Sequence, residues 1–273
     1  NPYKTFPKLV LKKGAREECV KKLADVSLSM GHEELRELMP ALTVNQIEVP
    51  LDPKQIDGPK GYRTFMKNAV YGVLGTKVER RAGGPVTVPV LADWHISTPS
   101  IAALRGKALQ FTAGFIYRDN GPVEFVNRNK LDMLAEIVDN LNGDPVLVFY
   151  RFREELDRIM KHIPGAVSIK ERGSVERWNA GEIPVLVAHP ASAGHGLNLQ
   201  FGGSQIVFTT VPDSQEQFSQ AIARLHRPGQ DNPVMAHILH TSGTWDDLAF
   251  ANVMGKRATD QDLLGQLQHL MDS

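Results

Sequence analysis

Short apolar runs separated by amphipathic stretches dominate the second half of the chain. Val146-Leu147-Val148-Phe149-Tyr150 is apolar throughout, long enough for a strand buried on both faces and too short for a helix. Ala166-Val167-Ser168-Ile169, Pro184-Val185-Leu186-Val187-Ala188, Gln205-Ile206-Val207-Phe208-Thr209 and Val234 to Leu239 repeat that pattern. Between them the spacing predicts helices over Phe152 to Lys161 (ended by Pro164-Gly165), Ser174 to Ala180 ahead of Gly181, and Gln215 to Arg227. Strands that alternate with helices imply crossover connections and a parallel sheet covered on both faces, an α/β fold.

The first 125 residues carry a different pattern. Glu17 to Met30, Gly61 to Val73 and Ser100 to Ala113 have helical periodicity, and Val44 to Leu51 alternates like a strand. Arg80 to Trp94 contains Gly83-Gly84-Pro85 and Pro89, so it reads as an extended loop or hairpin. Arg118-Asp119-Asn120-Gly121-Pro122 is a strong turn signal, and a boundary is expected near residues 118–126. No internal repeat is visible. The tail, Asp246 to Met271, reads as helical with a break near Gly255. The expected organisation is a mostly helical segment over 1–125, an α/β lobe over 126–242 and a helical tail over 243–273.

Composition adds limits. With 42% hydrophobic and 23% charged residues, the 273-residue chain is ordinary for a globular protein. No apolar run approaches the roughly 20 residues of a membrane span, and no signal peptide is visible. The single cysteine, Cys19, excludes an internal disulfide and fits a reducing cytoplasm. The opening Asn1-Pro2 is compatible with a fragment or a processed product. Net charge is zero, but residues 1–130 hold 20 Lys and Arg against 13 Asp and Glu, and residues 131–273 hold 11 against 18. One basic face for phosphate and two separately solvated surfaces explain that asymmetry equally well.

Two stretches carry candidate chemistry. In the helix predicted over Gln215 to Arg227, Gln217, Gln220, Arg224 and Arg227 share one face. Phe218, Ala221, Ile222 and Leu225 share the other, which would pack on the sheet, and Pro228-Gly229 stops the helix. Two planar guanidinium groups one turn apart suit a polyanion, although a solvated face fits the same spacing. The second stretch, Ala188 to Gln200, follows a strand and is therefore expected at a carboxyl edge, where open α/β sheets bind ligands. Gly194 and Gly196 permit close approach of backbone N–H groups to phosphate or sugar. The third glycine of a dinucleotide fingerprint is missing, since Leu199 stands there. His189 and His195 lack a carboxylate or cysteine spaced to join them around a metal, so no metal site is expected. Trp178 reads as core, and His237 and His240 as packing or surface residues. Lys77, Arg80 and Arg81 read as a solvated loop, with DNA contact as the alternative.

In order and spacing these stretches resemble the C-terminal motor lobe of Swi/Snf-type superfamily 2 helicase-like translocases. Val146 to Tyr150 resembles the strand motif that opens this lobe. Trp178-Asn179-Ala180-Gly181 with Pro184 to Ala188 resembles the step before the glycine loop. Ser192-Ala193-Gly194-His195-Gly196-Leu197-Asn198-Leu199-Gln200 resembles the motif that contacts the nucleic-acid backbone. Gln220-Ala221-Ile222-Ala223-Arg224-Leu225-His226-Arg227-Pro228-Gly229-Gln230 resembles the arginine-finger motif. The wording His-Pro-Ala-Ser-Ala-Gly-His-Gly is similar to phage and bacterial members. The resemblance covers 126–242, and more loosely 1–125, where the family inserts a mostly helical connector.

The resemblance implies a RecA-like parallel sheet with helices on both faces. It implies catalytic roles for Arg224, Arg227 and Gln220, cleft positions for Gly194, Gly196, Asn198 and Gln230, and DNA contacts from Ser192, Ala193, His195 and Gln200. The implied partners are DNA, touched at its backbone without strong sequence preference, and an N-terminal RecA-like lobe. That lobe would bind most of the ATP and Mg2+. The implied setting is the cytoplasm of a bacterium or a phage-infected host, with no membrane. One departure stands out: Pro212-Asp213-Ser214 occupies the place of the family's tryptophan. No G-x-x-x-x-G-K-[ST] phosphate loop and no strand-end Asp-Glu pair occur, so the chain alone is expected to be inert towards ATP. The alternatives are a non-catalytic DNA- or protein-binding module and, less well matched, a nucleotide-sugar transferase lobe.

Overall fold

The computed structural model describes residues 39–67, 77–81, 84–88, 101–119, 121–192 and 197–255. The chain divides between Met39 and Pro40 into two units, and the architecture that follows belongs to the second. In chain order the elements are β1 (Leu42–Glu48), α1 (Pro53–Asp57), β2 (Lys77–Arg81), β3 (Gly84–Val88), α2 (Ile101–Thr112), β4 (Phe115–Ile116), β5 (Glu124–Phe125), α3 (Asn129–Asn140), β6 (Val146–Phe149), α4 (Arg153–His162), β7 (Ala166–Ser168), α5 (Ser174–Asn179), β8 (Val185–Ala188), β9 (Gln205–Phe208), α6 (Gln215–Ile222), β10 (Val234–His240) and α7 (Trp245–Val253). Residues 62–67 are helical as well.

Six strands build one all-parallel sheet in the order β1-β10-β9-β6-β8-β7. The central strands are apolar throughout because both of their faces are covered. Leu147, Phe149, Leu186, Ala188, Ile206 and Phe208 point into one core with α2, α6 and α7. The intervening Val146, Val148, Val185, Val187 and Val207 point into a second core with Leu131 and Leu134 of α3 and Ile159 of α4. This is the period-two alternation of a strand, read out on two apolar layers. Phe208 anchors the first layer, stacked on Phe149 at 5.1 Å and tilted against Phe218 at 4.8 Å. Phe218, Ala221, Ile222 and Leu225 are buried as the helical spacing predicts. Trp178 is fully buried and donates from Nε1 to the Leu199 carbonyl at 2.8 Å.

The expected strand at Val44 to Leu51 forms over 42–48 and pairs with β10 from Leu42↔Val234 to Glu48↔His240. The sheet therefore draws its edge strand from upstream of the expected 118–126 boundary. The turn at that boundary closes the small antiparallel hairpin of β4 and β5. Periodicity cannot reveal this, because strand pairing across almost 200 residues leaves no local trace. Of the stretch read as an extended loop or hairpin over Arg80 to Trp94, the described part is a hairpin strand pair, β2 against β3, and residues 89–94 lie outside the described residues. The first part of the expected tail helix is α7, which ends at Val253 shortly before Gly255 with its left-handed φ of +80°; the tail beyond residue 255 lies outside the described residues. Helix Glu17–Met30 and Cys19 lie outside the described residues, as does helix Gly61–Val73 beyond residue 67.

Candidate functional site

The segment after β8 leaves the carboxyl edge of the sheet, and the next strand is parallel, so the chain must return to the amino edge before Gln205. Leu197 to Gly203 therefore lies at the amino edge, as its contacts confirm. The Leu199 carbonyl accepts from Trp178, and the Asn198 carbonyl accepts from Asn179 Nδ2 at 2.8 Å, both donors from the helix that precedes β8. The sequence placed the whole stretch at a carboxyl edge, and only its start, with Ser192, is there. Ala193, Gly194, His195 and Gly196 lie outside the described residues.

The helix expected over Gln215 to Arg227 stops at Ile222. Arg224 and Leu225 then donate to carbonyls three residues back, at Ala221 and Ile222, which tightens the chain into turns. Arg224 and Arg227 therefore sit in a turn at the amino edge rather than on an open helix face. Arg224 is only 6% exposed, with Nη1 3.4 Å from the Leu197 carbonyl and Nε buried without a partner among the described residues. Burial lowers its affinity for its proton, and the Arg227 charge adds to that. Arg227 Nε donates to the Ala223 carbonyl at 2.6 Å. Neither arginine has a carboxylate partner among the described residues. Gln220 is exposed and donates to Glu216 at 3.0 Å.

Two residues expected at the ligand are committed to the backbone. Gln230 is buried and its amide nitrogen donates to the carbonyls of Gln200 and Gly203, at 2.7 and 2.9 Å. Gln200 is also buried and donates to the Pro228 carbonyl at 3.2 Å. These amides staple the arginine turn to the segment that follows the glycines, so the two motifs are mechanically joined. Asn198 is exposed, and Ser192 is half-buried.

A second group of charges gathers at the opposite, carboxyl edge. Arg151, just beyond β6, reaches the Asp213 carboxylate with Nη2 at 2.6 Å, and Arg105 of α2 approaches the same oxygen at 3.4 Å. Asp213 is 60% exposed, yet its backbone carbonyl accepts from Arg105 and from Asn252 of α7. Burial and the nearby Arg151 lower the Arg105 proton affinity, and Asp213 partly offsets them. Beneath them Glu155, 5% exposed, accepts from the backbone N–H groups of Arg151 and Phe152 and from the hydroxyls of Thr209 and Thr210. His189 borders this group, and its Nδ1 accepts the Ala191 N–H at 3.2 Å, a role open only to an imidazole unprotonated there. Burial, with Lys170 and Arg151 nearby, lowers its pKa. Arg151 was findable, since it follows a strand at the edge where ligands bind. Arg105 was not, because nothing local links a helix residue to a loop 108 positions away.

Residues 129–229 match the helicase conserved C-terminal domain. Protein p41 of Acyrthosiphon pisum secondary endosymbiont phage 1 is 36% identical over 187 residues, 64% of this chain and 39% of that protein. The DNA repair and recombination protein RAD54-like of Gallus gallus is 25% identical over 171 residues, 58% of this chain and 23% of that protein. The human protein of that name is 26% identical over 151 residues, 50% of this chain and 20% of that protein. The chain thus spans well under half the length of these curated relatives. The crystal structure of the C-terminal part of the Fun30 ATPase domain superposes with a TM-score of 0.60 at 14% identity, covering 86% of this chain and 98% of that one. Its likeness shows the fold, a RecA-like C-terminal lobe.

Proposed function

Since the chain carries the helicase C-terminal lobe of a Swi/Snf-type superfamily 2 protein, we propose that it is one half of a DNA-stimulated ATP-dependent translocase. The observation that carries this reading is the arginine turn: two guanidinium groups near enough for one charge to act on the other, one of them buried, with no carboxylate partner among the described residues. A buried cation without a counter-charge is costly, and a phosphate oxyanion at the turn would relieve that cost. In this reading an N-terminal RecA-like lobe holds Mg2+ and most of the ATP, with this lobe closing over the γ-phosphate.

In that closed state Arg224 and Arg227 act on charge that spreads over the γ-phosphoryl oxygens as the bond to the leaving group breaks. Arg224 is pre-positioned by Leu197, so little side-chain entropy remains to be lost on closure. The Gln200 and Gln230 staples couple the arginine turn to the segment from Leu197 to Gly203, which continues the stretch beginning at Ser192 that we assign to the DNA backbone. A change at the nucleotide is thereby passed on towards the DNA-contacting stretch. Such contacts carry no base information and release counterions, so DNA binding is weak, salt-dependent and tolerant of sequence.

The test is steady-state ATP hydrolysis with saturating duplex DNA in the protein that holds both lobes, beside a DNA-binding titration. Arg224→Ala or Arg227→Ala should lower turnover by about 10³-fold or more and leave DNA affinity nearly unchanged. Near-normal turnover in both variants would show that the turn serves only packing.

A further inference from the structure

The carboxyl-edge cluster is not used by this mechanism. Two guanidinium groups converge there on one carboxylate, and both contacts go to a single oxygen, Asp213 Oδ1. The arginines are held by three separate parts of the chain: Arg105 by α2, and Arg151 by Glu155 at its own N–H and by the Val211 carbonyl at Nη1. Arg151 is 13% exposed at its side chain and Arg105 25%, whereas Asp213 is 60% exposed. The cations are thus fixed and partly desolvated, and the anion is the solvent-facing member on a short loop. At the surface the two guanidinium groups share one exposed carboxylate, while the buried Glu155 carboxylate beneath them is committed to backbone N–H groups and threonine hydroxyls.

We propose that Arg105 and Arg151 form a binding site for a backbone phosphate of DNA, and that Asp213 occupies it as an internal, displaceable substitute. This rests on the reading of the chain as a DNA-working lobe. A phosphodiester offers the same planar forks two oxygens and one negative charge, as the carboxylate does. Exposed carboxylate–guanidinium pairs are weak, so the displacement is easy while the arginines stay in place. The Asp213 carboxylate therefore lowers the affinity of a site that its partners have built, and the loop acts as a brake on binding. Its backbone carbonyl remains tied to Arg105 and Asn252, so only the side chain needs to swing away.

The experiment is fluorescence anisotropy of the full chain with a labelled duplex of about 20 base pairs at about 50 mM salt. Asp213→Asn should tighten binding by about 2- to 5-fold, the range that release of an exposed pair permits. Asp139→Asn makes the same change in net charge at the exposed end of α3 and should change nothing. Arg151→Ala should weaken binding and reduce the salt slope by about one. Arg151→Lys keeps the charge without the fork, and should also weaken binding while leaving the thermal midpoint intact. In the triple variant Arg105→Ala, Arg151→Ala, Asp213→Asn the gain should vanish, because its recipients are gone. A gain that survives there, or one equalled by Asp139→Asn, is a net-charge effect and overturns the proposal. The same titration with inorganic phosphate and with ATP separates the sources. An equal gain for ATP reassigns the site to a nucleotide phosphate and overturns the DNA assignment. If no variant binds DNA, the reading of the lobe itself fails. DNA binding that ignores Asp213 overturns this site alone.

Discussion

Truncating Glu155 to alanine separates the support of the site from its chemistry. Glu155 accepts four hydrogen bonds, at 3.0 and 2.8 Å from the N–H groups of Arg151 and Phe152 and at 2.7 and 2.8 Å from the hydroxyls of Thr209 and Thr210. The two N–H groups are half-buried, so water can replace part of their loss, at about 0.5 to 1.5 kcal/mol each. Thr209 keeps the Phe149 carbonyl at 3.2 Å, but Thr210, 1% exposed, has no such second acceptor among the described residues. Its orphaned hydroxyl costs about 1 to 3 kcal/mol. The sum is about 2 to 6 kcal/mol, reduced if water enters the adjoining cavity of about 20 Å³ beside Lys130, Arg158 and Thr209. Glu155→Gln has the same shape, can aim its carbonyl at the two N–H groups and its amide at hydroxyls that rotate to accept. It should cost about 1 to 2 kcal/mol. In urea, with a slope of about 3 kcal/mol per molar, the alanine variant should unfold about 0.7 to 2 M earlier than the parent. Equal losses for alanine and glutamine, or a shift for alanine smaller than about 0.3 M, would refute this account of the network.

Three further outcomes follow from particular contacts. A Cβ at Gly202 would overlap the buried Trp178 ring, which its hydrogen bond to Leu199 prevents from moving aside, so Gly202→Ala should cost about 3 kcal/mol in the same urea assay and a neutral result would mean that the ring can shift. Burial holds the His189 and His237 pKa values below the ordinary 6.5, so the unfolded chain binds protons more readily at these positions. The stability they contribute is complete above the unfolded pKa and is lost as pH falls through the folded values; the urea midpoint should drop between about pH 7.5 and pH 5.5, and less so in a His189→Gln, His237→Gln variant. Asp213→Trp, which restores the ring of the resembled family, removes the Arg151 pair at a largely exposed position and should cost about 1 kcal/mol or less, measurable as a thermal shift of a few degrees.

Periodicity and the order of the motifs carry the elements and the family likeness. Apolar runs of four or five residues can be buried only as central strands, and the amphipathic stretches between them can only cover those strands, so the parallel α/β lobe was legible from periodicity. The burial of Phe218, Ala221, Ile222 and Leu225 was legible for the same reason, because helix geometry alone assigns them to one face. The remaining features depend on contacts between residues far apart in the chain. The edge strand at 42–48 joins the sheet through pairing with β10, beyond any local pattern. The stretch after β8 returns to the amino edge because β9 is parallel to its neighbours, and that return brings Leu197 beneath Arg224. Burial turned Gln200 and Gln230 from expected ligand contacts into backbone staples, since a buried amide must satisfy its donors where it lies. Asp213 looked from the sequence like a lost tryptophan, and its meeting with Arg105 and Arg151 exists only in three dimensions. Opposite charges separated by 62 and 108 positions find one another through packing, which composition and spacing do not encode.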